Sequence, residues 1–259
     1  MIDSTYDKRV DPNYLDKIFS IKYGNARLKN EKYLDLNIYR YIDLLSFFDI
    51  VLKKKFPIAE KRTFSDYFES REYNSLNYLK SCFVPIGETD IKPYDMMWKC
   101  REMNIDALQN TLVSCWTTKK DDNYLRWATY KKAPITIRIG TTVKKLLDVF
   151  FDSNQHLSIY ASKVEYSNKT LSDPDYASLF CKSASYILEE EFRFCIIKSG
   201  VELKNKSMSF LNLSSVEWID NIMIGTLINR DLAVGFYGLF HDLPFFSGKT
   251  ELSSIHEKM

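Results

Sequence analysis

The sequence predicts an α+β fold, and three observations carry the prediction. Apolar residues alternate with period two in several short runs, clearest in Ile135-Thr136-Ile137-Arg138-Ile139. Elsewhere they recur at helical spacing, as in Leu44, Leu45, Phe48, Val51 and Leu52, and in Val143, Leu146, Leu147 and Phe150. The two kinds of run follow one another irregularly, without the β-α-β rhythm of a doubly wound sheet.

The elements follow in chain order. Residues 1–35 are polar and dotted with tyrosine, and read as an irregular or helical N-terminal arm. Asn37–Ile42 alternates as a half-buried strand. Asp43 is placed to cap the helix that follows, and Lys53-Lys54-Lys55 suits the negative end of that helix's dipole. Pro57 begins a connection, and residues 70–110 read as mainly helical. Thr111–Thr117 is a β-prone run, and Tyr124–Tyr130 makes a helical turn or two. Pro134–Ile139 is a strand closed by Gly140, and the Val143–Phe150 helix follows. Leu157–Tyr166 is a strand, Asp175–Leu188 a helix, and Glu189–Ile197 a strand opened by three acids. Ser207–Leu213 and Asn221–Ile224 are short strands, before an apolar stretch over Leu232–Phe246.

Composition narrows the function classes. Aromatic residues reach 15% and apolar residues 45%, enough for a large core and unlike a disordered chain. A formal charge of +2 lacks the basic excess of a protein that coats nucleic acid. The five cysteines are scattered with no C-x-x-C pair, and the three histidines are far apart, which points to reduced thiols and no metal site. The start of the sequence has no signal-peptide pattern, and no apolar run approaches the roughly 20 residues that span a bilayer. The expectation is a cytoplasmic protein without membrane contact. Glycine-rich phosphate loops and the G-x-S-x-G elbow are absent, so any nucleotide must be held in another way.

Four features could carry chemistry. In Glu189-Glu190-Glu191, strand alternation puts Glu189 and Glu191 on one face with Arg193; the alternative is an ion pair between Glu191 and Arg193 at a solvated edge. Arg40, set among Tyr39, Tyr41 and isoleucines, offers a guanidinium for a phosphate or carboxylate, unless Asp66 or Glu69 pairs it. Ser114 lies on a strand. Trp127 and Tyr130 share a helical face, as core or as a wall on which a flat ring stacks.

In chain order these segments resemble a bacterial domain family related to ADP-ribosyltransferases. The resemblance rests on Tyr39-Arg40-Tyr41, on the box Phe64-Ser65-Asp66-Tyr67-Phe68-Glu69 and on Val113-Ser114-Cys115-Trp116-Thr117. Trp127-Ala128-Thr129-Tyr130, Glu189-Glu190-Glu191-Phe192-Arg193 and Ile222-Met223-Ile224-Gly225 complete it. Ser65 and Tyr67 stand where the family commonly has Asn and Pro, and Ser-Cys-Trp-Thr replaces a Ser-Thr-Ser strand. The resemblance implies a split β-sheet core with flanking helices, in a single domain over residues 36–259.

It further implies an NAD cleft. Arg40 would grip a phosphate or ribose, Ser114 would support the nicotinamide ribose, and Tyr41, Trp127 or Tyr130 would face the ring. Glu191 would bond the ribose 2′-hydroxyl, and Glu189 would orient the acceptor. The implied activity is NAD-dependent ADP-ribosyl transfer or NAD hydrolysis, with protein, nucleic acid or water as acceptor. A toxin or phage-defence role follows from the kind of family, with a partner or antitoxin protein to restrain it. The alternative is a non-catalytic ligand-binding or interaction domain on the same fold. A third reading, a nuclease, would need Asp121, Asp122, Glu189 and Glu191 to meet around a metal ion.

Overall fold

The computed structural model describes residues 12–60, 111–130, 135–167, 179–197, 208–225, 230–243 and 248–255. The Phe64–Glu69 box and the expected helices of 70–110 lie outside the described residues.

Asn37–Asp43 forms β3, and its polar end starts the helix α2, Leu44–Lys53. The Asp43 carboxylate accepts from the Ser46 N–H at 2.7 Å, supplying one of the partners that a helix N-terminus lacks. α2 stops at Lys54, whose left-handed φ of 52° turns the chain into β4, Lys55–Glu60. Pro57 therefore lies within a strand rather than opening a loop. It is tolerated because β4 has a strand on only one side there, its ladder with the Thr111–Thr117 strand being confined to Ala59 and Glu60.

Thr111–Thr117 is β5, and Tyr124–Tyr130 is the short helix α3. β6, Thr136–Thr142, runs through Gly140 instead of ending at it. A side chain at Gly140 would lie 2.9 Å from the Tyr39 ring, so the glycine lets that ring cross the strand. Thr142 caps α4, Val143–Ser153, and β7 is Ser158–Lys163. β8, Glu165–Tyr166, pairs with β9, Cys181–Lys182, in a separate two-stranded ladder. Of the expected Asp175–Leu188 helix, the described part includes β9 and a 3-10 turn over Ala184–Glu189. Glu190 then adopts φ 42°, and β10 runs from Glu191 to Ile197. Met208–Asn212 is β11, Asn221–Ile224 β12, Arg230–His241 the helix α5, and Lys249–Leu252 the strand β13.

The N-terminal segment contributes more than an arm. After the helix α1, Pro12–Ile18, the strands β1, Ile21–Tyr23, and β2, Ala26–Leu28, form a hairpin. β2 pairs in parallel with β7, which joins the hairpin to the main sheet.

That sheet is large and mixed, in the order β1-β2-β7-β10-β5-β3-β6-β12-β13, with β4 and β11 branching from β5. With helices packed on it, the architecture is α+β. One face carries the main core, where Phe47 and Ile50 of α2, Leu146 and Phe150 of α4 and Phe240 of α5 meet Ile38, Ile137, Ile139 and Phe194. The isoleucine alternation of β6 is thus the signature of this one buried face. On the opposite face Leu15 and Phe19 cover Tyr160 and Cys195, and Trp127 and Ile255 cover Tyr41 and Met223.

Candidate functional site

β5 is where the sheet forks. It is fully laddered to β10 on one side, from Thr111↔Ile197 to Thr117↔Glu191. On its other side it meets β3 only at Thr117↔Tyr39, and β4 only at Val113 and Leu112. Between those two contacts the facing edges of β3 and β5 share no ladder. A cavity of about 210 Å³ opens there, lined among others by Arg40, Tyr41, Pro57, Cys115, Thr117 and Tyr130.

Arg40 reaches into this gap half-buried. Its Nη1 donates to Ser114 Oγ at 2.9 Å, and its guanidinium lies 4.8 Å from the centre of the Phe56 ring. It meets no carboxylate among the described residues. Desolvation brings its pKa down to about 10, which leaves it fully charged at neutral pH. Ser114 is wholly buried and also accepts from Trp116 Nε1 at 2.9 Å. Among the described residues Arg40 has one neutral hydrogen-bond partner, and a charged guanidinium so placed has further donors to offer an anion.

The aromatic residues form the wall. The Tyr41 and Tyr130 rings are near-parallel at 10°, with centroids 5.3 Å apart, and Trp127 meets Tyr41 edge-on at 4.8 Å. Trp127 is buried, so it backs the wall, whereas Tyr41 and Tyr130 line the cavity. Burial, reinforced by the nearby Glu189 and Glu191 carboxylates, pushes the Tyr130 phenol up and keeps it neutral. Gly225 allows the arrangement, because a side chain there would lie 2.6 Å from the Trp127 ring.

The acids are arranged differently from the sequence expectation. Residues directly opposite in an antiparallel ladder share a face, so Ser114 goes with Phe194, while Glu191 and Arg193 go with Thr117 and Cys115. Arg40 and Ser114 are therefore brought together on the main-core face, and Glu191 stands on the other. Glu191 is 4% exposed and neutralised: Arg193 donates to it from Nε at 2.6 Å and from Nη2 at 3.0 Å. The expected ion pair between Glu191 and Arg193 exists, but in the interior rather than at a solvated edge.

Glu189 ends the 3-10 turn instead of opening the strand. The left-handed Glu190 redirects the chain, and Glu189 and Glu191 come to share a cation, Lys182 Nζ, at 2.8 and 3.6 Å. Glu190 points away and pairs with Lys119.

Lys182, Tyr166 and Cys115 carry no sequence signal of a role here. The Lys182 ammonium also lies 4.5 Å from the Tyr186 ring centre, and Tyr166 Oη accepts the Glu191 N–H at 2.7 Å. The Cys115 thiol lines the cavity and is an electrostatic neighbour of Arg40, Lys182 and Tyr130. Acids set at the entrance of an otherwise apolar strand require cations, and that requirement is the one clue that could have led to Lys182.

Among the described residues, no group of three or more His, Cys, Asp or Glu side chains is placed to hold a metal ion. No helix among them is long and apolar enough to cross a membrane. No family model, curated protein or solved structure matches the chain.

Proposed function

We propose that the cleft between β3 and β5 binds NAD and that the protein is an NAD-dependent ADP-ribosyltransferase or NAD glycohydrolase. The observation that carries this reading is Arg40, charged, half-buried, bonded among the described residues to the neutral Ser114 and opening on a cavity walled by Tyr41 and Tyr130. A guanidinium answers the pyrophosphate, the tyrosine wall offers a face to a flat ring, and the sequence resemblance supplies the reaction.

In this reaction the bond between ribose C1′ and the nicotinamide nitrogen breaks, and its electron pair leaves with neutral nicotinamide. The ribose becomes oxocarbenium-like, as in glycoside cleavage, and water or an acceptor hydroxyl or amine attacks C1′. Glu191, fixed by Arg193, would bond the ribose hydroxyls. Glu189 is the more open acid, its side chain 23% exposed, and suits the acceptor's proton. Cytoplasmic location, a defence or toxin role, and a restraining partner belong to this proposal.

One observation favours a second reading, a non-catalytic ligand-binding domain. Both Glu191 oxygens are engaged by Arg193, so its charge is offset before any ribose arrives. Incubation with NAD and chromatographic measurement of nicotinamide separates the two. The enzyme reading expects release, about a hundredfold weaker in Glu189→Gln and Glu191→Gln. Binding without release selects the second reading. If NAD neither raises the melting temperature nor is consumed, the NAD assignment is wrong.

A further inference from the structure

The geometry points to Asp122 as a positioning residue, which latches the aromatic wall of the cleft to a strap formed by Ser253–Ile255 so that strap docking and cleft occupancy favour one another. This rests on the reading that the cleft takes a ligand, with NAD as the probe.

The wall cannot hold itself. α3 is seven residues long, and an isolated helix needs about 12 or more to be even marginally stable in water. Its position comes from outside: Arg126 donates to the Leu188 carbonyl at 3.3 Å, and Asp122 holds Trp127. The Asp122 carboxylate accepts from Trp127 Nε1 at 2.6 Å on one side. On the other it accepts from Ser253 Oγ at 2.9 and 3.0 Å, from the Ser254 N–H at 2.7 Å and from Ser254 Oγ at 3.2 Å. One side chain thus joins segments 131 residues apart in sequence.

Two further contacts make this a latch for the wall in particular. Ile255 packs in one cluster with Tyr41, Trp127 and Met223, with Tyr130 against it. From beneath, the buried Arg138 donates to the backbone oxygens of Lys120 at 2.6 Å and Asp121 at 3.4 Å, holding the segment that presents Asp122. The strap is itself anchored to the sheet, where the Ser253 N–H donates to the Ile224 carbonyl at 2.9 Å. A ligand stacked on Tyr130 presses against a wall whose back is the strap. Any partner that captures residues 253–255 would release Trp127, and by reciprocity a ligand that fixes the wall tightens the strap.

Hydrogen exchange on the full chain tests this. Without ligand, Asp122→Ala should speed exchange in 124–130 about tenfold and leave β10 unchanged. Unchanged exchange in 124–130 overturns the latch, whatever NAD does. With NAD, the wild type should show slower exchange at 253–255, a change that a merely structural Asp122 would not produce. Asp122→Ala should bind NAD about tenfold more weakly without that protection, and equal affinity in the two proteins overturns the coupling. Asp122→Asn, which keeps an acceptor for Trp127 but not the second carboxylate oxygen, gives the intermediate case should Asp122→Ala fail to fold. Failure of NAD to bind the wild type refutes the ligand assignment and the coupling built on it, while the ligand-free exchange still decides the latch.

Discussion

Arg40 Nη1 and Ser114 Oγ are 2.9 Å apart across two strands that share a single ladder pair, so a side-chain bond spans the gap where backbone pairing has stopped. The relationship accounts for both the cleft and the charge within it. Had β3 and β5 stayed in register past Tyr39 and Thr117, there would be no cavity for the guanidinium to face.

Ser114 accepts from two donors, the half-buried Arg40 Nη1 and the buried Trp116 Nε1. Ser114→Ala removes one hydroxyl and strands both, at an expected cost of about 1–3 kcal/mol. Ser114→Thr, which keeps the acceptor, should recover part of that loss. Urea denaturation of the two variants and the wild type measures it.

The Glu191–Arg193 pair makes a second test, and it bears on any activity measurement. Removing one partner of a buried ion pair costs about 3–5 kcal/mol, because the other charge is left uncompensated. Arg193→Met should therefore destabilise strongly. Replacing both residues together by leucine and methionine should cost far less than the sum of the single changes, as a double-mutant cycle in denaturant would reveal. Loss of activity in Glu191→Gln counts as chemistry only if the variant keeps its fold at the assay temperature.

At the far edge of the sheet, the Glu251 carboxylate bonds Lys249 and accepts from Asn221 Nδ2 at 3.0 Å, which holds its pKa below the ordinary 4.5. A depressed carboxylate contributes stability that is complete above its unfolded value and is lost as pH falls through the lower folded value. The stability difference between wild type and Glu251→Gln should thus be constant near neutrality and shrink below about pH 4.5. Thermal melts of the two proteins across that range check the sign.

Local pattern made much of the fold legible. Alternation located β3, β6 and β10, β-prone runs located β5 and β7, and Asp43 and the apolar spacing located α2 and α4, since each signal depends on residues only a few positions apart. β4 escaped because Pro57 argues against a strand unless one edge is known to be open. The β1–β2 hairpin and β13 escaped because three- and four-residue strands leave too short a pattern to read. At the site, Arg40, Ser114, Tyr41 and Tyr130 were legible as residue types in order. The company of Glu191 was only half legible: alternation placed it beside Glu189 and Arg193, but nothing local said that Lys182 would join the two acids.

The sequence by itself determined the longer strands and helices and which side chains are unusual for their surroundings: an arginine among isoleucines, three acids entering an apolar strand. Only the tertiary structure decided which of them meet. Register assigns each side chain to one face or the other, and that register is fixed by ladders between segments as far apart as Tyr39 and Thr117. The same ladders put Arg40 and Ser114 on one face and Glu191 on the other, and left open the gap between β3 and β5 that Arg40 and Tyr41 line.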